Sequence, residues 1–207
     1  MTDPEPRLVL ATRNAKKARE LRSLLEPHGI RVDSLLDLDP LPEVIEDGET
    51  FAENAARKAV QTAQALNCWV IGEDSGLQVD ALGGAPGVYS ARFSGEAAND
   101  DSNNALLLEK LADTPDDRRT ARYVCHVAVA DPNGDVKLSI EKYCRGRITR
   151  EARGDGGFGY DPYFLIPEYH RTFGELSPLV KRQLSHRGRA LRALLPELLK
   201  LAIPNPV

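Results

Sequence analysis

The sequence predicts an α/β chain, and three observations carry that expectation. Two short apolar runs, Leu8–Ala11 and Trp69–Gly72, read as buried strands, and each stands beside a segment with apolar residues at helical spacing. Thr50-Phe51-Ala52-Glu53 has the form of a capping box, which starts a helix at Phe51. Between Arg119 and Ile148, two alternating runs flank Asn133-Gly134, the turn signature of a β-hairpin.

Composition sets the frame for those elements. The 207 residues are 42% apolar, enough for a globular interior in a single domain spanning 1–207. Net charge is 27 minus 31, or -4, so no overall basic field draws the chain to nucleic acid or to a membrane. The longest apolar runs fall well short of a bilayer crossing. Residues 1–7 are acidic and Pro-rich, unlike a signal peptide, and are expected to form a flexible extension. Cys68, Cys125 and Cys144 lack metal-ligand spacing and suit reduced thiols in a cytosol. Cys125 and Cys144 could face each other across the hairpin, although packed thiols are the simpler expectation.

In chain order, the strand at Leu8 leads through Thr12-Arg13-Asn14 into a helix that carries Ala15, Ala18, Leu21 and Leu25, with Gly29 as its stop. Strand, polar turn and helix N-terminus together make an anion site. Lys16 and Lys17 oppose the helix dipole, which suits an anion lying between them and the backbone N–H groups. Residues 31–49 read as a strand and then a solvated acidic loop with Glu43, Glu46, Asp47 and Glu49. The helix from Phe51 lines up Ala55, Ala59 and Ala63 for close packing and carries Lys58, ordinarily a solvent-exposed position.

Glu73-Asp74-Ser75-Gly76 follows the second strand and reads as an acidic turn. Two adjacent carboxylates are costly to bury without partners. A hard divalent cation such as Mg²⁺ offsets that cost through oxygen ligands. Leu82–Gly87 is a rigid Gly-rich bend, and Val88–Phe93 is either extended or a helical turn. Residues 99–112 read as a helix and 116–119 as a polar loop. In Asp155–Pro162, Phe158 and Tyr160 sit among glycines, an arrangement suited to close backbone approach and to stacking on a base. A strand follows at Tyr163–Ile166. Ser177-Pro178 reads as an N-cap with proline in the first turn of a helix that carries Lys181. Ser185–Gly188 breaks that helix, and a last helix follows that Pro196 kinks or divides.

These signals describe a phosphate cradle near Lys16, a carboxylate cluster of Glu46, Glu73 and Asp74, and a base pocket with late basic residues Lys181 and Arg187. Six motifs stand in order: Ala11-Thr12-x-Asn14-x-x-Lys17, Thr50-Phe51-x-Glu53-Asn54-Ala55, Glu73-Asp74-Ser75-Gly76-Leu77, Leu82-Gly83-Gly84-Ala85-Pro86-Gly87, Gly157-Phe158-Gly159-Tyr160-Asp161-Pro162 and Ser185-His186-Arg187-Gly188. With them the chain closely resembles the inosine/xanthosine triphosphate pyrophosphatases, from Leu8 to about Leu199. It departs from the usual pattern at Arg13 and Lys16, where glycines are common, and at Glu73, where an aspartate is common.

The resemblance implies a long central mixed sheet flanked by helices, with two lobes around an active-site cleft. It implies a cytoplasmic, Mg²⁺-dependent homodimer that hydrolyses ITP, dITP or XTP to the monophosphate and pyrophosphate. By the same match, Thr12, Asn14 and Lys17 contact the phosphates, and Arg13, Ala15, Lys16 and Lys58 are further candidate substrate-binding residues. Glu46 and Asp74 hold the metal. Asp74, with Glu73 as alternative, takes the proton of the attacking water. Ser75, Phe158, Gly159, Tyr160, Asp161, Lys181, His186 and Arg187 form the rest of the substrate site. Two other readings are a pyrophosphatase for modified pyrimidine nucleotides and a nucleotide sensor without turnover.

Overall fold

The computed structural model describes residues 7–41, 44–201 and 203. Residues 1–6 of the expected extension, and Glu43, lie outside the described residues. Seven strands form one mixed sheet: β1 (Arg7–Leu10), β2 (Arg31–Ser34), β3 (Trp69–Val79), β4 (Thr120–Ala130), β5 (Val136–Ile148), β6 (Phe164–Ile166) and β7 (Arg171–Thr172). Their order is β2-β1-β3-β4-β5-β6-β7. β1 pairs in parallel with β2 and with β3, whereas β6 pairs antiparallel with β5 and with β7. Among the described residues, five α-helices flank the sheet: α1 (Ala15–Leu25), α2 (Phe51–Leu66), α3 (Asp100–Lys110), α4 (Pro178–Leu184) and α5 (His186–Leu198).

The chain divides into two compact units. The first comprises Met1–Asp74, His126–Glu141 and Ala190–Val207, and the second comprises Ser75–Cys125 and Lys142–Arg189. In the first unit the core joins Val9, Val70, Ala128 and Ala130 of the strands to Ala55, Ala59 and Ala63 of α2. The alanine face permits near contact between helix and strand backbones. A Cβ on Gly72 would lie 2.1 Å from the Ala55 carbonyl oxygen and 2.6 Å from the Ala59 nitrogen. In the second unit an aromatic core gathers Tyr123, Tyr160, Phe164 and Phe173 around Leu77, Leu107 and Ile148.

Local signals place most element ends. Thr50 Oγ1 accepts from the Glu53 N–H at 3.1 Å and starts α2. Ser177 caps α4 with Pro178 in its first turn. Gly29, at φ 74°, closes the helical turn that extends α1. In the β4–β5 turn the Asp131 carboxylate accepts from the Asn133 and Asp135 N–H groups at 2.9 and 3.0 Å. Cys125 and Cys144 are buried thiols.

Two expectations change and two open alternatives are decided. The acidic stretch at Glu73–Gly76 is not a turn, because β3 runs unbroken from Trp69 to Val79. Both carboxylates find cations inside the first unit, so neither has to turn out to water. The undecided segment after Pro86 is a helical turn, Gly87–Arg92. At Ser185–Gly188 only Ser185 interrupts the helices, since His186 already opens α5. α5 runs through Pro196 to Leu198 and is not divided there.

Candidate active site

β3 carries Glu73 and Asp74 at successive positions, and side chains on a strand alternate between its two faces. Asp74 shares a face with Gly72 and meets α2. Its Oδ1 lies 3.1 Å from Lys58 Nζ, and its Oδ2 accepts from Asn54 Nδ2 at 3.2 Å. Glu73 meets α1 instead, with Oε1 3.0 Å from Lys17 Nζ. The expected cluster of three carboxylates therefore does not form. Among the described residues no three His, Cys, Asp or Glu side chains converge as metal ligands. Glu73 thus stands on the Lys17 side of the strand and Asp74 on the Lys58 side.

The loop that carries Glu46 is solvated as expected, with Glu46, Asp47 and Glu49 exposed, and it is also laced to the first two turns of α2. Glu46 Oε2 lies 2.7 Å from Lys58 Nζ. Asp47 pairs with Arg57. The Gly48 N–H donates to Asn54 Oδ1 at 2.8 Å, and the Glu49 N–H donates to Glu53 Oε2 at 2.7 Å. Lys58 is correspondingly sheltered, with its side chain 12% exposed. Its ammonium bridges Glu46 and Asp74 and also donates to the Glu73 carbonyl oxygen at 3.2 Å.

Burial raises the Asp74 carboxyl above its ordinary range. Lys58 and Asn54 oppose that rise, and Glu46 adds to it. Glu46 and Asp74 both set hard carboxylate oxygens against the Lys58 ammonium. Mg²⁺ is commonly held by one or two carboxylates together with substrate phosphates. Glu46 and Asp74 fit that donor set.

In the loop after β1, the Asn14 side chain caps α1 and accepts from the Lys16 and Lys17 N–H groups at 2.9 and 3.2 Å. Thr12 Oγ1 accepts from the Asn14 N–H at 3.2 Å. Two amides expected to cradle an anion are thus already held, and the positive charge offered there comes from lysine side chains. Arg13 is turned away, with Nη2 donating to the Leu41 carbonyl oxygen at 3.0 Å. Ala15 is the exposed first residue of α1, and Lys16 beside it is also exposed.

The second unit builds a different kind of site. Gly157, at φ 83°, lets the chain fold onto Asp161, and a Cβ there would lie 2.1 Å from Asp161 Oδ2. Asp161 is buried, accepts from the Phe158 N–H at 2.7 Å and pairs with Lys181. Burial raises its carboxyl, against the pull of Lys181 and the Phe158 N–H. Lys181 Nζ stands 4.6 Å from the centroid of the Phe158 ring, which is largely exposed. Gly159 is gripped from α3: its N–H donates to Asp100 Oδ2 at 2.7 Å, and its carbonyl accepts from Asn104 Nδ2 at 3.0 Å.

Tyr160 differs from the expected exposed platform. It is buried, its hydroxyl donates to the Ser90 carbonyl oxygen at 2.8 Å, and burial pushes its phenol far above the ordinary value. The His186 ring stacks on Tyr123 with centroids 4.7 Å apart and planes 10° from parallel. Arg187 is buried and Ser75 is half-buried.

Three residues outside the expected set matter to this geometry. Asn54 joins the Glu46 loop to Asp74. Asn104 holds Gly159. Arg119 is fully buried and donates to the Ile148, Leu111 and Thr149 carbonyl oxygens at 2.8, 2.7 and 3.2 Å. Asn54 alone stood inside a recognisable motif. Nothing local distinguishes the other two from surface polar residues.

The residues that build these parts lie within a span that matches known proteins. The model of the Ham1 family matches residues 8–197. A dITP/XTP pyrophosphatase of Rhodopirellula baltica is 54% identical over 198 residues, covering 96% of this chain and 95% of that relative. A solved Ham1 protein from Coxiella burnetii has a TM-score of 0.88 at 37% identity, covering 94% of this chain and 98% of its own. A nucleoside-triphosphatase / dITP/XTP pyrophosphatase from Mycobacterium abscessus has a TM-score of 0.78 at 44% identity, covering 93% and 99%. With the phosphate loop, the Glu46–Lys58–Asp74 bridge and the Phe158 loop all inside the matched span, this chain belongs to the Ham1 family.

Proposed function

We propose that the protein hydrolyses the non-standard purine nucleoside triphosphates ITP, dITP and XTP to the monophosphate and pyrophosphate, with Mg²⁺ as cofactor. The observation that carries this reading is the single ammonium of Lys58 between Glu46 and Asp74, 2.7 and 3.1 Å away. Two hard carboxylates facing one charge suit a divalent cation that arrives with polyphosphate. The relatives named dITP/XTP pyrophosphatases support the substrate class.

Breaking the α–β bond leaves a pyrophosphate with several negative charges. Mg²⁺ held by Glu46 and Asp74 supplies charge neutralisation there when bound. Lys16 and Lys17 supply positive charge at the phosphates from the N-terminus of α1, and Thr12 and Asn14 set the loop that presents them. Asp74 orients the attacking water and accepts its proton. Glu73, on the opposite face of β3, anchors Lys17. Phe158 stacks on the base, with the Lys181 charge beneath its ring. Arg187 and backbone N–H groups facing position 6 donate to a 6-oxo oxygen and reject the adenine amine, which would set donor against donor. The enzyme works in a reducing cytosol, in keeping with its three thiols, and as a homodimer.

Asp74→Asn tests the centre. Turnover of ITP should fall by at least about 10³-fold, on the scale of losing a positioned base, while nucleotide binding by calorimetry stays measurable. Normal turnover in this variant would refute the assignment.

A further inference from the structure

Asn54 is 1% exposed and uses both ends of its carboxamide. Oδ1 accepts from the Gly48 N–H at 2.8 Å, two residues after Glu46, and Nδ2 donates to Asp74 Oδ2 at 3.2 Å. One rigid planar group thus spans from the loop that carries one acidic arm to the carboxylate of the other. Lys58 lies one helical turn further along α2 and engages the other Asp74 oxygen, Oδ1, at 3.1 Å. Residues four apart share a helix face, so α2 holds Asp74 by both oxygens and fixes the carboxylate plane.

The two holds differ in kind. Lys58 is a flexible cation that an arriving metal ion can displace. Asn54 is neutral and packed, and it has no charge for an arriving cation to displace. We infer that Asn54 is the positioning residue of the metal site: it sets the separation of Glu46 from Asp74 and turns one Asp74 oxygen away, so that Oδ1 is the oxygen presented to the cation. This rests on the proposed metal role of Glu46 and Asp74.

The same observation supplies a second handle. A Cβ on Gly48 would lie 2.6 Å from Asn54 Oδ1 and 2.9 Å from the Glu53 Cβ. Gly48→Ala therefore pushes the carboxamide from the loop side, and the three atoms nearest the added methyl belong to Asn54 and Glu53.

The test uses the full-length protein, with Mn²⁺ as the metal probe and α,β-methylene-ITP as the uncleaved nucleotide. Electron paramagnetic resonance of free Mn²⁺ gives the metal affinity, and ITP turnover with Mg²⁺ gives kcat and KM. Asn54→Leu keeps the branched heavy-atom shape and deletes both hydrogen bonds. It should weaken Mn²⁺ binding about 10- to 100-fold, the scale for losing an outer partner of a metal ligand. kcat should fall by a similar factor, with KM for ITP within about threefold, since the phosphate and base contacts are untouched. Gly48→Ala should move both readouts in the same direction, and it decides the matter if Asn54→Leu does not fold. Wild-type Mn²⁺ affinity and kcat in both folded variants would overturn the inference. So would a kcat loss that follows only a smaller folded fraction while Mn²⁺ affinity is unchanged. If the unmutated protein neither binds Mn²⁺ nor releases pyrophosphate, the proposed function falls and this inference with it. If it does both and the variants match it, only the role of Asn54 is lost.

Discussion

Glu73 and Asp74 are neighbours in sequence but serve opposite faces of β3: Glu73 Oε1 lies 3.0 Å from Lys17 Nζ of α1, and Asp74 Oδ1 lies 3.1 Å from Lys58 Nζ of α2. The two-residue repeat of a strand separates their duties. A metal ion held on the Asp74 side cannot also be held by Glu73, whose side chain is only 2% exposed and is committed to Lys17.

Glu73→Gln should therefore act on substrate binding more than on the chemical step. Losing one charge-assisted bond to Lys17 corresponds to about 1.5–3 kcal/mol, so KM for ITP should rise by about tenfold or more, with kcat within about threefold. Steady-state kinetics beside Asp74→Asn make the comparison. A collapse of kcat as deep as in Asp74→Asn would give Glu73 the base role instead.

Gly72→Ala probes the packing that brings α2 to β3. The added methyl would lie 2.1 Å from the Ala55 carbonyl oxygen. Overpacking of this kind costs about 1–3 kcal/mol, or a fall in Tm of about 2–4 °C per kcal/mol for a chain of this size. Calorimetry showing an unchanged Tm would mean that α2 yields freely.

Gly157→Ala acts on the base loop. A left-handed φ of 83° and a 2.1 Å approach to Asp161 Oδ2 both oppose a side chain. KM for ITP should rise while Mn²⁺ affinity stays at the wild-type value, because Asp161 belongs to the second unit and the proposed metal ligands to the first. An unchanged KM would detach this loop from substrate binding.

Cys144 makes a pH prediction. Burial pushes its thiol up to about 11, Arg189 opposes the shift, and Glu168 adds to it. A thiol raised in the folded state contributes stability that is complete below about 8.5. That contribution is lost as pH rises through about 11, because the unfolded chain releases the proton first. Cys144→Ala should be less stable than wild type at pH 7, and the gap should shrink between pH 9 and 11 by at most about 3 kcal/mol. A gap constant with pH would contradict the buried, protonated thiol.

Much of this fold could be read locally because its signals are local. Thr50 with Glu53, Ser177 with Pro178, and Asn133 with Gly134 place helix starts and a hairpin through contacts within a few residues. The acidic stretch resembles a turn in sequence because its partners, Lys17 and Lys58, lie 56 and 16 residues away. The burial of Tyr160 is not legible locally, because its hydroxyl donates to the Ser90 carbonyl, 70 residues distant. Arg119 gave no signal at all, since its partners are backbone carbonyls that any sequence supplies.

The central claim is selective hydrolysis of 6-oxo purine nucleotides outside the standard set. Specificity constants for ITP, dITP, XTP, GTP and ATP, measured with Mg²⁺ by release of pyrophosphate, test it most directly. The account predicts that ITP, dITP and XTP exceed both ATP and GTP by at least about 10²-fold, the scale of a mismatched polar edge in a pocket. It predicts little difference between ITP and dITP, since none of the residues proposed for the site is assigned to the 2′-hydroxyl. Equal constants for GTP and ITP, or orthophosphate as the inorganic product, would contradict it.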